Sequence, residues 1–112
     1  MAKPSKYSEA ELLGHIVELC ETIQQEITDV TFDDFLTDRN LVDATAFRIQ
    51  AIGEACSKLG DTFLQAHDLP WRQIIGMRHL LSHDYLGISH QVVWDTAKAD
   101  LDELLAVCRG AL

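Results

Sequence analysis

The sequence predicts an all-α fold, an antiparallel bundle of four to five helices, on three grounds. Apolar residues recur at three- and four-residue steps over long stretches, the spacing of a helix with one buried face. Those stretches begin at capping residues and stop at glycines. No stretch alternates apolar and polar residues as a half-buried strand does. At 112 residues the chain is read as a single domain over 1–112. That length buries roughly two thirds of the unfolded surface without disulfide or metal staples.

Ser8 followed by Glu11 forms a capping box, in which hydroxyl and carboxylate satisfy backbone N–H groups at a helix start. Leu12, Ile16, Leu19, Cys20, Ile23 and Ile27 then line one face of a helix of about 20 residues. Thr31 or Asp33 is expected to cap a short turn whose Phe32, Phe35 and Leu36 plug the end of the bundle. A second long helix is expected from Arg39 to Leu59, with Leu41, Thr45, Ile49, Ile52, Cys56 and Leu59 inward and Phe47 to one side. Gly60, suited to a left-handed C-terminal position, stops it. Gly53, in the middle of this helix, costs about 1 kcal/mol relative to Ala, which points to a close helix approach. Asp61 to Asp68 reads as a short linking helix. Pro70 suits the first turn of the next helix, which starts at Trp71. Ser89 caps a last helix with Val93, Ala97, Leu101, Leu104 and Cys108 inward, ended by Gly110.

Composition narrows the function. The apolar fraction of 47% and charged fraction of 24% are those of a soluble globule. No run reaches the ~18 apolar residues of a membrane span, and the N-terminus lacks a secretory-type hydrophobic segment, so a cytoplasmic address is expected. Cys20, Cys56 and Cys108 show no Cys-x-x-Cys spacing and are read as inert core thiols. The net charge of −9 excludes a protein that coats nucleic acid over its whole surface, because phosphate binding needs cations. Any nucleic-acid role requires a local positive cleft or a partner.

Chemistry concentrates in RHLLSHDY, Arg78 to Tyr85. An Arg followed by a His after four to six residues arises by chance in roughly one such sequence in two. Requiring a Tyr two residues after the His lowers that to about one in a few hundred. On a regular helix Arg78, Ser82 and Tyr85 share a face, whereas His83 lies about 140° from Arg78. Either the helix loosens near Asp84, or two copies of the chain face each other and supply groups across a symmetric cleft. The pair suits RNA cleavage without a metal. An imidazole of ordinary pKa, about 6.5, can take a proton from a ribose 2′-OH. A guanidinium can stabilise charge building on phosphate oxygens. Plainer readings stand beside this one. Arg78 can pair with Asp84 or another acidic neighbour, and His79 with His83 has a two-ligand metal spacing but no obvious third ligand beyond Asp84 or the distant His90. His15 and His67 read as surface or boundary residues, and Trp71 and Trp94 as packing residues.

RHLLSHDY resembles the R-x-x-x-x-H-x-Y signature of the HepT-like proteins of the HEPN superfamily. RNLVDATAFRIQAIGEACSKL resembles their long helix with its IGEA element, Ile52 to Ala55 here. WRQIIGMRHLLSHDYLGI resembles the approach to the signature, and VVWDTAKADLDELLAV the closing helix. The resemblance implies a helical homodimer with paired signatures at an interface cleft. It also implies a metal-independent endoribonuclease with no cofactor, the toxin of a type VII HEPN/MNT toxin–antitoxin system. The partner would be an MntA-type nucleotidyltransferase antitoxin that transfers AMP from ATP to the signature Tyr. Carried over by position, Arg78 and His83 are the catalytic pair and Tyr85 the AMPylation site, with His79 and Ser82 candidates to hold RNA phosphate. The residue after the signature Arg is often a small polar amide, and here it is His79. Two rivals remain: a non-catalytic subunit that binds nucleotide or substrate for the nucleotidyltransferase, and an acidic bundle with a purely structural role.

Overall fold

The computed structural model describes residues 6–83 and 86–112, with backbone only at 82 and 83. Every segment of regular structure among the described residues is helical. Helix α1 spans Glu9–Ile27, and Ser8 Oγ accepts the Glu11 N–H at 3.0 Å, the expected cap. Leu13 joins the expected inward residues, while Leu19 is only partly buried. Asp29, with φ 62°, turns the chain out of α1; the short polar side chain makes this left-handed position tolerable.

Helix α2, Phe32–Thr37, is capped by Thr31. Phe35 is buried and its ring lies 5.0 Å from that of Trp94, with Phe32 at 5.9 Å. These rings form the expected plug. Leu36 does not join it and is exposed. Trp94 in turn lies under the Lys98 ammonium, whose Nζ also donates to the Ile27 carbonyl at the end of α1. A cation there satisfies a carbonyl left over at a helix C-terminus.

Helix α3, Arg39–Ser57, starts at Asp38, which accepts the Leu41 N–H. Its buried face runs through Val42, Thr45, Ala46, Ile49, Ile52, Gly53, Ala55 and Cys56. This corrects the expected stripe at one place, where Leu41 is half-buried and Val42 is buried instead; Phe47, expected to one side, is 61% exposed. The reason is that α3 is the central element. It touches α1 on one flank and the segment following Trp71 on another, so small residues between the large apolar ones are covered as well. Glu26 meets Arg48, and the start of α1 lies beside Ala51, Glu54 and Lys58. The two helices are therefore antiparallel.

Helix α4, Asp61–Ala66, buries Phe63. Trp71 Nε1 donates to the Leu64 and His67 carbonyls at 3.0 and 2.9 Å, joining the end of α4 to the start of α5, Trp71–Gly76. Trp71 is thus a packing residue, as is Trp94. The chain continues through a 3-10 turn, Met77–His79, into α6, Leu80–His83. Helix α7, His90–Asp95, is capped by Ser89 and passes through a π turn, Thr96–Asp100, into α8, Asp102–Gly110. Glu21 meets Arg109 and Gln24 meets Asp102, so α8 also runs antiparallel to α1.

The segments outnumber the four or five expected because two long helices are interrupted by turns of different winding. The closing helix shows why. Val93, Ala97 and Leu101 are all buried, yet they are spaced by four residues and would drift by about 40° per step on a 3.6-residue helix. One wider π turn absorbs the drift and keeps all three inward.

Gly53 marks the tightest crossing. A Cβ there would stand 2.9 Å from the Met77 carbonyl carbon, 3.0 Å from the Ile74 oxygen, and closer still to the Arg78 nitrogen. All three are backbone atoms and cannot rotate away. Gly53→Ala is therefore expected to destabilise by about 1–3 kcal/mol by overpacking, against the ~1 kcal/mol that Ala contributes as a better helix former. Chemical denaturation checks the sign.

Cys20, Cys56 and Cys108 come from α1, α3 and α8 and are all buried. Burial pushes Cys20 up to about 12, with Cys108 adding to the rise, and Cys108 itself up to about 11. Cys56 rises too, for the same first cause. In the unfolded chain these thiols ionise near 9. Stability is thus full below that value and falls as pH rises from there toward the folded values. The expected result is a denaturation midpoint flat from pH 6 to 8 that drops above about 9. Iodoacetamide should label the thiols only after unfolding. Fast labelling of the folded chain at pH 8 would contradict the packing described.

Candidate functional site

The segment carrying Arg78 is held against α3 in two ways. Gly53 removes a side chain where the backbone of Ile74, Met77 and Arg78 passes. One turn earlier on α3, Gln50 Oε1 accepts the Leu81 N–H at 2.6 Å, in a partly buried position. That amide is where the 3-10 turn becomes α6, and a helix joint leaves backbone groups to be satisfied by side chains. The turn is therefore fixed from both ends.

On this clamped turn Arg78 and His79 are both exposed. Arg78 Nε donates to His79 Nε2 at 3.2 Å. Arg39, Arg48 and Arg109 each pair with a carboxylate, whereas Arg78 makes no ion pair among the described residues. The plain reading in which an acidic neighbour neutralises Arg78 is unsupported there, and Asp84 lies outside the described residues. Glu54 faces the same region. Its carboxyl is held below the usual range, first by a hydrogen bond from Lys58 and further by the charges of Lys58, Arg78 and His79. A groove of about 410 Å³ adjoins it, between the start of α1 and the outer face of α3, with Ala51, Ala55, His15 and Lys58 among its lining.

The winding bears on how Arg78 and His83 relate. Two of the five steps between them follow 3-10 geometry, at about 120° per residue instead of 100°. The offset between the two backbone positions grows from about 140° to about 180°. The turn tightens where convergence on one atom would need it to loosen. Of the other expected site residues, Ser82 and His83 have only their backbone described, on α6, and Tyr85 lies outside the described residues. His15 is exposed on α1, and the His67 ring packs at a tilt against Phe63 with ring centres 4.5 Å apart. No three His, Cys, Asp or Glu among the described residues stand together as a metal ligand set.

Sequence reasoning missed Gln50 and Glu54. A signal existed for both. Gln50 lies three residues before Gly53, so it shares the side of α3 on which a close approach was expected. Glu54 directly follows that glycine.

The sequence model of the family described as ribonuclease HepT-like matches residues 16–110. A protein of Caldanaerobacter subterraneus subsp. tengcongensis, whose name carries a provisional RNase assignment, is 34% identical over 93 residues. The match covers 82% of this chain and 83% of that protein. A protein of Thermococcus cleftensis named "Probable ribonuclease HepT" is 34% identical over 100 residues, covering 88% of this chain and 91% of its own length. No solved structure matches the chain significantly. A family match over most of the sequence, with relatives this similar along nearly their whole length, means that the chain belongs to the HepT-like ribonuclease family.

Proposed function

We propose that the chain is a metal-independent endoribonuclease toxin that works as a homodimer, cutting RNA where the two Arg78 turns face each other. The observation that carries this reading is the exposed Arg78, clamped to α3 through Gly53 and Gln50 and without an ion pair among the described residues. A guanidinium left open to solvent on a backbone held in place is suited to phosphate. The roughly opposite placement of positions 78 and 83 favours two copies facing each other over one copy acting alone.

In the reaction, the His83 imidazole takes the proton from a ribose 2′-OH as the oxygen attacks the adjacent phosphorus. Arg78 holds the phosphate oxygens and stabilises the added charge of the pentacoordinate state. The bond to the 5′-oxygen breaks, and that oxygen leaves with a proton. The products are a 2′,3′-cyclic phosphate and a 5′-OH. His79 and Ser82 hold the substrate phosphate, with tRNA a candidate RNA. Tyr85 is the silencing site in the cytoplasm. Its hydroxyl oxygen attacks the α-phosphorus of ATP on an MntA-type nucleotidyltransferase, and pyrophosphate leaves. The AMP ester places bulk and negative phosphate at the cleft mouth, where RNA phosphate is repelled. No described helix is long and apolar enough to cross a membrane.

Arg78→Ala and His83→Ala should each lower RNA cleavage by about two to four orders of magnitude while the helical spectrum is unchanged. Scoring products by gel and phosphate-end analysis in the presence of a chelator checks both the loss and the chemistry. Cleavage retained by both variants would refute the assignment. Tight binding of total tRNA by the purified chain without scission would favour the non-catalytic subunit instead. Incubation with the nucleotidyltransferase and ATP should raise the intact mass by whole AMP units, and Tyr85→Phe should abolish the shift. A shift retained by Tyr85→Phe would move the modification elsewhere.

A further inference from the structure

Arg78 and His79 are neighbours on the 3-10 turn, and side chains one residue apart on a helical path normally point away from each other. Here they meet: Arg78 Nε donates to His79 Nε2 at 3.2 Å. A guanidinium only donates, so His79 Nε2 is the acceptor and carries no proton. The neutral imidazole therefore holds its proton on Nδ1. The same bond occupies the Nε side of the guanidinium and leaves the Nη1–Nη2 edge as its fork. Arg78 makes no other hydrogen bond and no ion pair with the described residues. A carboxylate in the place of His79 would orient the guanidinium and also cancel its charge, whereas a neutral ring orients it and leaves the charge whole. Glu54, the carboxylate that senses both residues, is bonded to Lys58 instead.

We infer that His79 is a positioning residue for Arg78: the neutral ring holds Nε so that the Nη1–Nη2 edge meets the scissile phosphate end-on. The inference rests on the reading of Arg78 as the phosphate contact, and the hold of His79 on the substrate runs through that guanidinium. Protonation of the ring undoes it, because both ring nitrogens then donate and two cations stand side by side. Imidazoles gain that proton around pH 6.5. The arrangement is intact above that range and is lost as pH falls through it. The charged groups beside the pair are Glu54 and the Lys58 bonded to it, both on α3. Helix α5 carries one charged residue, Arg72 in its first turn, and α6 one titratable residue, His83.

Two measurements on the full chain test this. Long-range ¹H–¹⁵N spectra of the histidine rings, with His79 assigned by the signals that His79→Asn removes, should place the His79 proton on Nδ1 at about pH 7.5. Free histidine mostly carries it on Nε2, so the rarer tautomer reports the bond to Arg78. An Nε2–H ring at that pH would overturn the inference whether or not the chain cuts RNA. Single-turnover cleavage of total tRNA in a chelator reads the consequence. His79→Ala should slow cleavage at saturating protein by about ten- to a hundredfold, with the half-saturating concentration changed less than about threefold. His79→Asn, whose amide oxygen accepts at any pH, should recover most of that loss. Between about pH 7.5 and 5.5 the unaltered chain should lose about five- to tenfold more rate than His79→Asn, whose remaining loss belongs to His83. Equal losses over that range would overturn the positioning role. An Nδ1–H ring in a chain that leaves tRNA intact would uphold the bond and refute the ribonuclease reading, so the two failures are told apart.

Discussion

The backbone of one helical segment rests on another at Gly53, and much of the molecule is arranged to permit that contact. Side chains usually hold helices 8–10 Å apart. Here the absence of a single Cβ lets the Ile74–Arg78 backbone approach α3 closely enough that no other residue would fit without a shift. Close approach brings backbone polar groups near the neighbouring helix, and Gln50 accepts one of them from Leu81. A glycine and an amide on one side of α3 thus do together what a bulky apolar pair cannot. They hold a polar, exposed turn in a defined place without covering it. An exposed residue normally has little reason to keep one geometry, and this arrangement supplies that reason for Arg78.

Electrostatics make the placement matter. With a net charge of −9, the surface as a whole repels phosphate, and several of the chain's cations are committed to carboxylates on α1 and α3. A net negative charge disfavours polyanions over the surface as a whole, so an exposed guanidinium on a held backbone would be a selective contact for phosphate. Two such turns brought together would concentrate positive charge further, at the one kind of place where an acidic protein can hold RNA. Glu54 moderates this. Its carboxylate is stabilised first by Lys58 and then by Arg78 and His79, which leaves a negative group at the margin of the cationic turn and bounds its extent.

Much of this was legible in the residues. The caps at Ser8, Thr31, Asp38 and Ser89 are local signals, since a short polar side chain needs only the next turn of backbone to act on. Inward positions of the closing helix were also readable, because each is a large or small apolar group at helical spacing. Gly53 announced a close approach but not its partner, since a missing side chain says nothing about what fills the space. Periodicity failed at Leu41 and Val42. There, burial depends on which flanks of α3 are covered, a property of the whole assembly. The 3-10 and π turns were invisible for a related reason. Local sequence tolerates several windings, and tertiary contacts choose among them.

Those two turns solve opposite problems with the same means. At Thr96–Asp100 the chain must keep residues spaced by four on one inward line, and a wider turn removes the accumulated drift. At Met77–His79 a tighter turn adds rotation instead, about 20° per step relative to an α-helix. The added rotation separates positions 78 and 83 around the helical path while Gly53 keeps the turn seated on α3. A segment wound this way presents different groups to different directions. It gains by having a second surface opposite it, and it gains little by folding back on itself. The winding thus sets the backbone positions 78 and 83 on roughly opposite sides of the helical path.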